Sequence, residues 1–252
     1  MQIAFITDLH IDKAFEYPFG IDTRENFKRV LNAIAKSPAE ELIIGGDLCY
    51  RSPEEEIYKW IFEELDKFGM PFHVIAGNHD DPRMMSKTGG FEALMQDEEL
   101  YFAKKFKPFL ALFLDTSKGS ISKNQLSWLD RQLYLQDGPT VIFLHHPPMH
   151  SNIPFKDDDP EKSFSGGEKI MKIIAKNKNI IPIFSGHYHV EKTIVQNNAM
   201  LFITPSCFFQ IDPLSKEFKV GHHRIGYRLI DLGINGFKCS MHYIAGSRQI
   251  DS

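Results

Sequence analysis

The sequence predicts an α/β fold with a β-rich C-terminal end. Over its first two-thirds, short apolar runs of strand length alternate with stretches whose apolar residues recur every three to four positions. From about residue 190 onward, the runs are strands without long helices between them. Several strands also end on the same kind of residue, a histidine, aspartate or asparagine, often next to glycine.

The elements follow in order. Residues 2–7 form a strand, and residues 23–36 form a helix that places Phe27, Val30, Leu31 and Ile34 on one face. Residues 41–45 form a second strand. Ser52-Pro53 followed by Glu54, Glu55 and Glu56 reads as a helix start: a serine cap, proline in the first position and acidic residues in the first turn. That helix runs to about Phe68, and residues 71–76 form a third strand. Strands follow at 100–106 and 109–115, then a helix at 122–135 with Leu126, Leu129 and Leu133 on one face. Residues 140–144 form a strand, 168–177 a helix and 180–184 a strand. The β-rich end carries strands at 199–204, 227–231 and 236–243. The stretch 151–167 is the longest irregular one, and a loop of that length in a compact domain tends to be functional or mobile.

Length and composition bound the function. With 252 residues, 42% of them hydrophobic and 25% charged, the chain can bury a full core as a single domain spanning 1–252. A net charge of -4 gives no basic excess to attract nucleic acid. No apolar run is long enough to span a membrane, and the N-terminus reads as a first strand, not a signal peptide. Cys49, Cys207 and Cys239 lack close spacing and read as reduced thiols of a soluble, cytoplasmic protein.

The chemistry lies at five strand ends. These carry Asp8-Leu9-His10, Gly45-Gly46-Asp47, Gly77-Asn78-His79-Asp80, His145-His146-Pro147 and Gly186-His187-Tyr188-His189. In an open α/β sheet, sites form beyond the carboxyl ends of strands, so five such loops can converge. Asp8 with His10, and His187 with His189, sit two apart and share a face if the backbone there is extended. Nitrogen and oxygen ligands without sulfur suit Mn, Fe, Zn or Co better than Ca. There are more ligands than one ion needs, and a carboxylate such as Asp47 can bridge two ions about 3.5–4 Å apart. Each fragment is weak alone; the ordered series of five is specific.

These five blocks resemble the pattern of the calcineurin-like metallophosphoesterases. Within that superfamily the chain is similar to the class III cyclic-nucleotide phosphodiesterases, through His145-His146-Pro147-Pro148, Asp115-Thr116, residues 125–129, Thr204-Pro205-Ser206-Cys207 and Gln210. The resemblance covers residues 3–243. It implies a four-layer αββα sandwich of two mixed sheets flanked by helices. It further implies two divalent or trivalent metal ions, one held by Asp8, His10 and His189 and the other by Asn78, His145 and His187, with Asp47 between them. A metal-bridging hydroxide would attack phosphorus in line. His79 would steady the phosphoryl oxygen with Asn78 and protonate the leaving alkoxide, and Asp80 would hydrogen-bond His79. His146 would lie near the substrate, a small-molecule phosphodiester, with 3′,5′-cyclic AMP the first expectation and a glycerophosphodiester or another phosphoester the alternative. His150, close behind in the same loop, is a further candidate for substrate contact by its sequence position. The resemblance also suggests a homodimer. A binding protein on a catalytically dead version of the fold is the rival from another class, and the complete ligand set argues against it.

Overall fold

The computed structural model describes residues 1–157 and 164–248. The chain opens with β1 (Gln2–Ile6), whose last four residues are buried. α1 (Thr23–Ile34) follows, its first turn capped by the Asp22 carboxylate, which accepts from the Glu25 N–H at 2.9 Å. Its buried face carries Phe27, Val30, Leu31 and Ile34, as the periodicity predicts. β2 (Glu41–Ile44), α2 (Glu55–Phe68) and β3 (Phe72–Val74) continue the alternation.

α2 starts later than the sequence suggests. Its N-cap is Glu54, in extended backbone and without a side-chain cap bond, so neither Ser52 nor Pro53 opens it. Proline pushes the residue before it out of helical geometry, and the chain turns helical only after Glu54. α3 (Pro82–Gly89) is an element the sequence reading did not assign. Its signals are ordinary: the Asp81 carboxylate caps the Met84 N–H at 2.7 Å, and Pro82 begins the helix.

Beyond α3, β4 (Met95–Gln96) and β5 (Glu99–Leu100) make a small hairpin. β6 (Phe102–Phe106), β7 (Phe109–Phe113), α4 (Lys123–Leu135) and β8 (Thr140–Phe143) follow. Ser122 caps α4 through its hydroxyl. The expected irregular stretch 151–167 contains a short helix, α5 (Pro154–Asp157), and its residues 158–163 lie outside the described residues. α6 (Gly167–Ile174), β9 (Ile181–Ser185), β10 (Lys192–Gln196) and β11 (Ala199–Ile203) lead to β12 (Gln210–Ile211) and β13 (Val220–His222). The long hairpin β14 (Arg224–Gly233) and β15 (Gly236–Ala245) closes the fold.

Two mixed sheets result, ordered β15-β14-β1-β2-β3 and β10-β11-β9-β8-β7-β6. The C-terminal hairpin therefore completes the first sheet beside β1. The sheets meet over a phenylalanine ladder. Phe113, Phe143, Phe184 and Phe202 stand in register on β7, β8, β9 and β11, their rings stacked 5.1–5.5 Å apart. Phe5 of the other sheet packs on Phe143 and Phe184. Each such buried ring contributes roughly 1.5–3 kcal/mol of hydrophobic free energy. α1 and α2 pack into the core on the first sheet, while α4 and α6 pack into a second core on the other. This is the expected αββα sandwich. The parallel strands β1, β2 and β3 of one sheet and β8 and β9 of the other end at one side of it.

Candidate metal centre

The five loops do converge, and backbone hydrogen bonds stitch them together. The Asp8 N–H donates to Gly46 O at 2.9 Å, His10 N–H to Asp47 O at 3.0 Å, and Gly186 N–H to His145 O at 3.1 Å. Close approach leaves no room for a side chain at several glycines of these loops, Gly77 and Gly186 among them. A Cβ on Gly77 would strike the Asp47 carboxylate, and one on Gly186 would strike the Asp8 carboxylate and the Thr7 hydroxyl.

The local geometry differs from the extended backbone on which the Asp8/His10 and His187/His189 pairing argument rests. Asp8, His10, Asp47, His187 and His189 all have positive φ, from 46° to 67°. That left-handed conformation costs a non-glycine residue of order 1–3 kcal/mol and persists where surrounding bonds over-determine it. Tight left-handed turns, not extended strands, bring these side chains together.

Asp8 and Asp47 are almost fully buried. The Asp8 carboxylate accepts from the Thr7 hydroxyl at 2.8 Å and from the His187 N–H at 3.0 and 3.1 Å. Burial alone would raise its pKa, but His189 and His145 hold it down to about 2. Asp47 accepts from the His79 N–H at 2.9 Å, and its other oxygen lies 3.2 Å from His145 Nε2 and 3.7 Å from His10 Nε2. Burial opposes its ionisation too, yet the neighbouring histidines hold it well below the usual carboxylate range.

The histidines are oriented from behind. His145 Nδ1 lies 2.8 Å from Gly45 O, and His189 Nδ1 lies 3.0 Å from Phe209 O. A carbonyl can only accept, so each Nδ1 carries the proton and each Nε2 faces the cluster. His10 Nε2 sits 3.0 Å from His189 Nε2, and His189 Nε2 sits 3.3 Å from the Asp8 carboxylate. Burial holds His10 down to about 3, so it is neutral. His145 is buried as well, but Asp47 and Asp8 carry it up to about 9.

Residues of the cluster fall into four overlapping trios whose ligand atoms lie within 4.8 Å of one another: Asp8–His10–His189, Asp8–Asp47–His145, His10–Asp47–His79 and His145–His146–His187. The set fits cations. His145 Nε2 faces the Asp47 carboxylate at 3.2 Å, and the Nε2 atoms of His10 and His189 face each other beside carboxylates. A cation resolves these crowded Nε2 contacts, and the N/O donor set suits a borderline divalent ion.

Other expected site residues take different positions. His79 is half-buried and lines the cavity over the cluster with the exposed Asn78. His146 is buried, with Nδ1 2.9 Å from the Thr116 hydroxyl and its ring 4.3 Å from that of His187. His150 is exposed, bonds Asn152 and does not line the cavity. Asp80 departs from the expectation. Its carboxylate accepts from the N–H groups of Leu48, Cys49 and Gly77 and from the Tyr58 hydroxyl, while His79 Nδ1 has no hydrogen-bond partner. With those donors around it, Asp80 ties the Asp47 loop to the Asn78 loop instead of orienting His79.

The sequence reading missed the aromatic side of the cavity. Its lining includes Phe19, Tyr50, Phe155, Phe208, Phe209 and Phe218. The available signal was Phe208-Phe209, set between the Cys207 and Gln210 that the family resemblance does use.

The two-sheet sandwich thus carries a His/Asp cluster with a candidate metal-ligand set at its strand ends. The chain belongs to the calcineurin-like phosphoesterase family, whose model matches residues 1–191. A Fibrobacter succinogenes protein named as a probable cyclic nucleotide phosphodiesterase is 30% identical over 243 residues, covering 96% of this chain and 94% of its own. A Nostoc protein named as a 3′,5′-cyclic-nucleotide phosphodiesterase is 27% identical, with 94% and 89% covered. Among solved structures, a dimetal phosphatase from Danio rerio has the same fold, with a TM-score of 0.68 at 14% identity over 98% of this chain and 99% of that one. Among the described residues, no helix is long and apolar enough to cross a membrane.

Proposed function

We propose that the chain is a phosphodiesterase that hydrolyses a 3′,5′-cyclic nucleotide, cyclic AMP first, to the nucleoside monophosphate. The observation that carries this reading is the set of overlapping His/Asp trios at the floor of a cavity of about 280 Å³ edged by His79. Asp8, His10 and His189 would hold one ion, and Asn78, His145 and His187 the other, with Asp47 reaching both. Bound there, such a pair supplies Lewis acidity to the phosphoryl oxygens and makes water acidic enough to act as a nucleophile near neutral pH.

The protein supplies orientation and a proton. Carbonyl bonds at Nδ1 hold the His145 and His189 rings with Nε2 inward. His79, anchored through its N–H to Asp47 and edge-on to the His10 ring, stands where a leaving alkoxide would need a proton. Cys49 and Cys207 are not nucleophiles in this reading, because burial pushes both thiols up to about 12.

The test is a panel of cAMP, cGMP, 2′,3′-cyclic nucleotides and glycerophosphodiesters, assayed with Mn²⁺ and with Fe²⁺. We expect the highest kcat/KM on a 3′,5′-cyclic nucleotide, abolished by chelator. A glycerophosphodiester as best substrate would move the assignment to that class. No turnover with two metals bound would make the chain a binding protein.

A further inference from the structure

The turn Tyr17-Pro18-Phe19-Gly20 has two features that folding alone does not explain. Phe19 adopts φ 55° and ψ 25°, a left-handed conformation that bulky side chains rarely take. The residue is also 51% exposed. Hydrogen bonds from Gly20 N–H to Tyr17 O at 2.9 Å and from Ile21 N–H to Pro18 O at 3.0 Å fix the turn.

That turn sets the Phe19 ring at the rim of the cavity. Its centroid lies 5.1 Å from that of Phe209, 5.9 Å from Phe208 and 5.6 Å from Phe218, which is itself 44% exposed. Deeper in, Phe208 packs 5.5 Å from the His10 ring and Phe209 packs 5.3 Å from the His189 ring. Aromatic surface therefore runs without a break from the metal-side histidines to solvent. The cavity is two-sided. Among its described lining residues, the polar groups His10, Asp47, Asn78, His79, His187 and His189 belong to the His/Asp end, and the Tyr50 hydroxyl is the one polar side-chain group among the rings.

A flat ring attached to a phosphate suits both ends. Discriminating one base from another requires donors and acceptors set against the ring edge, because buried polar groups left unpaired supply the penalty. Stacking tolerates any base, since every base has a π face. We infer that the exposed faces of Phe19 and Phe218, packed on Phe208 and Phe209, form an aromatic clamp on which the nucleobase of the substrate stacks, and that the site accepts adenine and guanine alike. The inference rests on the phosphodiesterase reading for the position of the phosphate, at the His/Asp end.

Calorimetric binding of AMP, GMP and ribose 5-phosphate to the metal-loaded protein tests this directly. AMP and GMP are expected to bind within about threefold of each other and at least tenfold more tightly than ribose 5-phosphate. Phe19→Ala and Phe218→Ala should each cut that preference about tenfold, which corresponds to about 1.4 kcal/mol. Both side chains are partly exposed, so the fold should tolerate the changes, and melting curves verify it. Equal binding of AMP and ribose 5-phosphate, a tenfold preference between AMP and GMP, or unchanged preference in both folded variants would overturn the clamp. Cyclic-nucleotide turnover is scored separately. If it is absent while AMP keeps its preference, the phosphodiesterase reading falls and the clamp stands. Turnover without that preference removes the clamp and leaves the reading intact.

Discussion

Replacing Asp80 with alanine separates two roles for that residue. A partner of His79 would matter for turnover and little for stability. The structure instead gives its carboxylate three backbone N–H donors, from Leu48, Cys49 and Gly77, and the Tyr58 hydroxyl. Alanine orphans the three N–H groups, and each buried unpaired donor costs about 1–3 kcal/mol. Relief partly offsets that loss. Burial and the charge of Asp47 push the Asp80 carboxyl from 3.8 up to about 6. Holding it ionised at neutral pH therefore costs about 3 kcal/mol. With the donors at about 2 kcal/mol each, the net destabilisation is about 3 kcal/mol. For a chain of this size that lowers Tm by roughly 6–12 °C. The assay is a thermal melt of chelator-treated protein at pH 7.5, beside kcat on substrates with good and poor leaving groups. An unchanged Tm with kcat on poor leaving groups reduced about a hundredfold would refute the strut and restore Asp80 as the partner of His79.

The remaining predictions concern protons and metal. In chelator-treated protein, burial holds His10 at about 3, so unfolding takes up a proton and stability is lost as pH falls from 6.5 toward 3. Burial would lower His145 as well, but Asp47 and Asp8 carry it to about 9, so its contribution is lost as pH rises from 6.5 toward 9. Asp80, raised to about 6, loses stability as pH rises from 3.8 toward 6 and offsets the His10 slope there. Tm should therefore stay level from pH 5 to 6 and fall from 6.5 toward 9, and a Tm that does not fall above pH 6.5 contradicts the His145 assignment. His79→Ala should keep metal content near normal and lower turnover on poor leaving groups by on the order of 10²–10⁴. Loss of metal in that variant would place His79 among the ligands instead. Gly186→Ala drives a Cβ into the Asp8 carboxylate and the Thr7 hydroxyl. Disturbing a ligand's support in this way should weaken Mn²⁺ binding about 10- to 100-fold, and unchanged affinity would show that Asp8 is not a ligand.

Much of this molecule is legible in the sequence because its signals are local. The apolar run before Asp8 gives β1, and the spacing of Phe27, Val30, Leu31 and Ile34 gives α1. The candidate ligand blocks stand out because each follows an apolar strand directly. What escaped depends on long-range or backbone detail. Asp80 can be paired from the sequence only with a neighbour, whereas its partners Leu48, Cys49 and Tyr58 lie 22 to 32 positions away. The left-handed turns at Asp8 and His187 carry no composition signal, since both residues are selected for their side-chain chemistry. The cavity wall joins Phe19, Tyr50, Phe208 and Phe218 from distant segments, and each alone looks like an ordinary apolar residue.

We propose that two metal ions held by one His/Asp cluster turn this fold into a cyclic-nucleotide phosphodiesterase. The most direct test is reconstitution: chelator-treated protein is titrated with Mn²⁺ while cAMP hydrolysis is followed. Without metal no activity is expected, and the rate should saturate at about two equivalents per chain, as a two-ion site would require. Saturation at one equivalent, or no hydrolysis of cAMP at any metal loading, would contradict it.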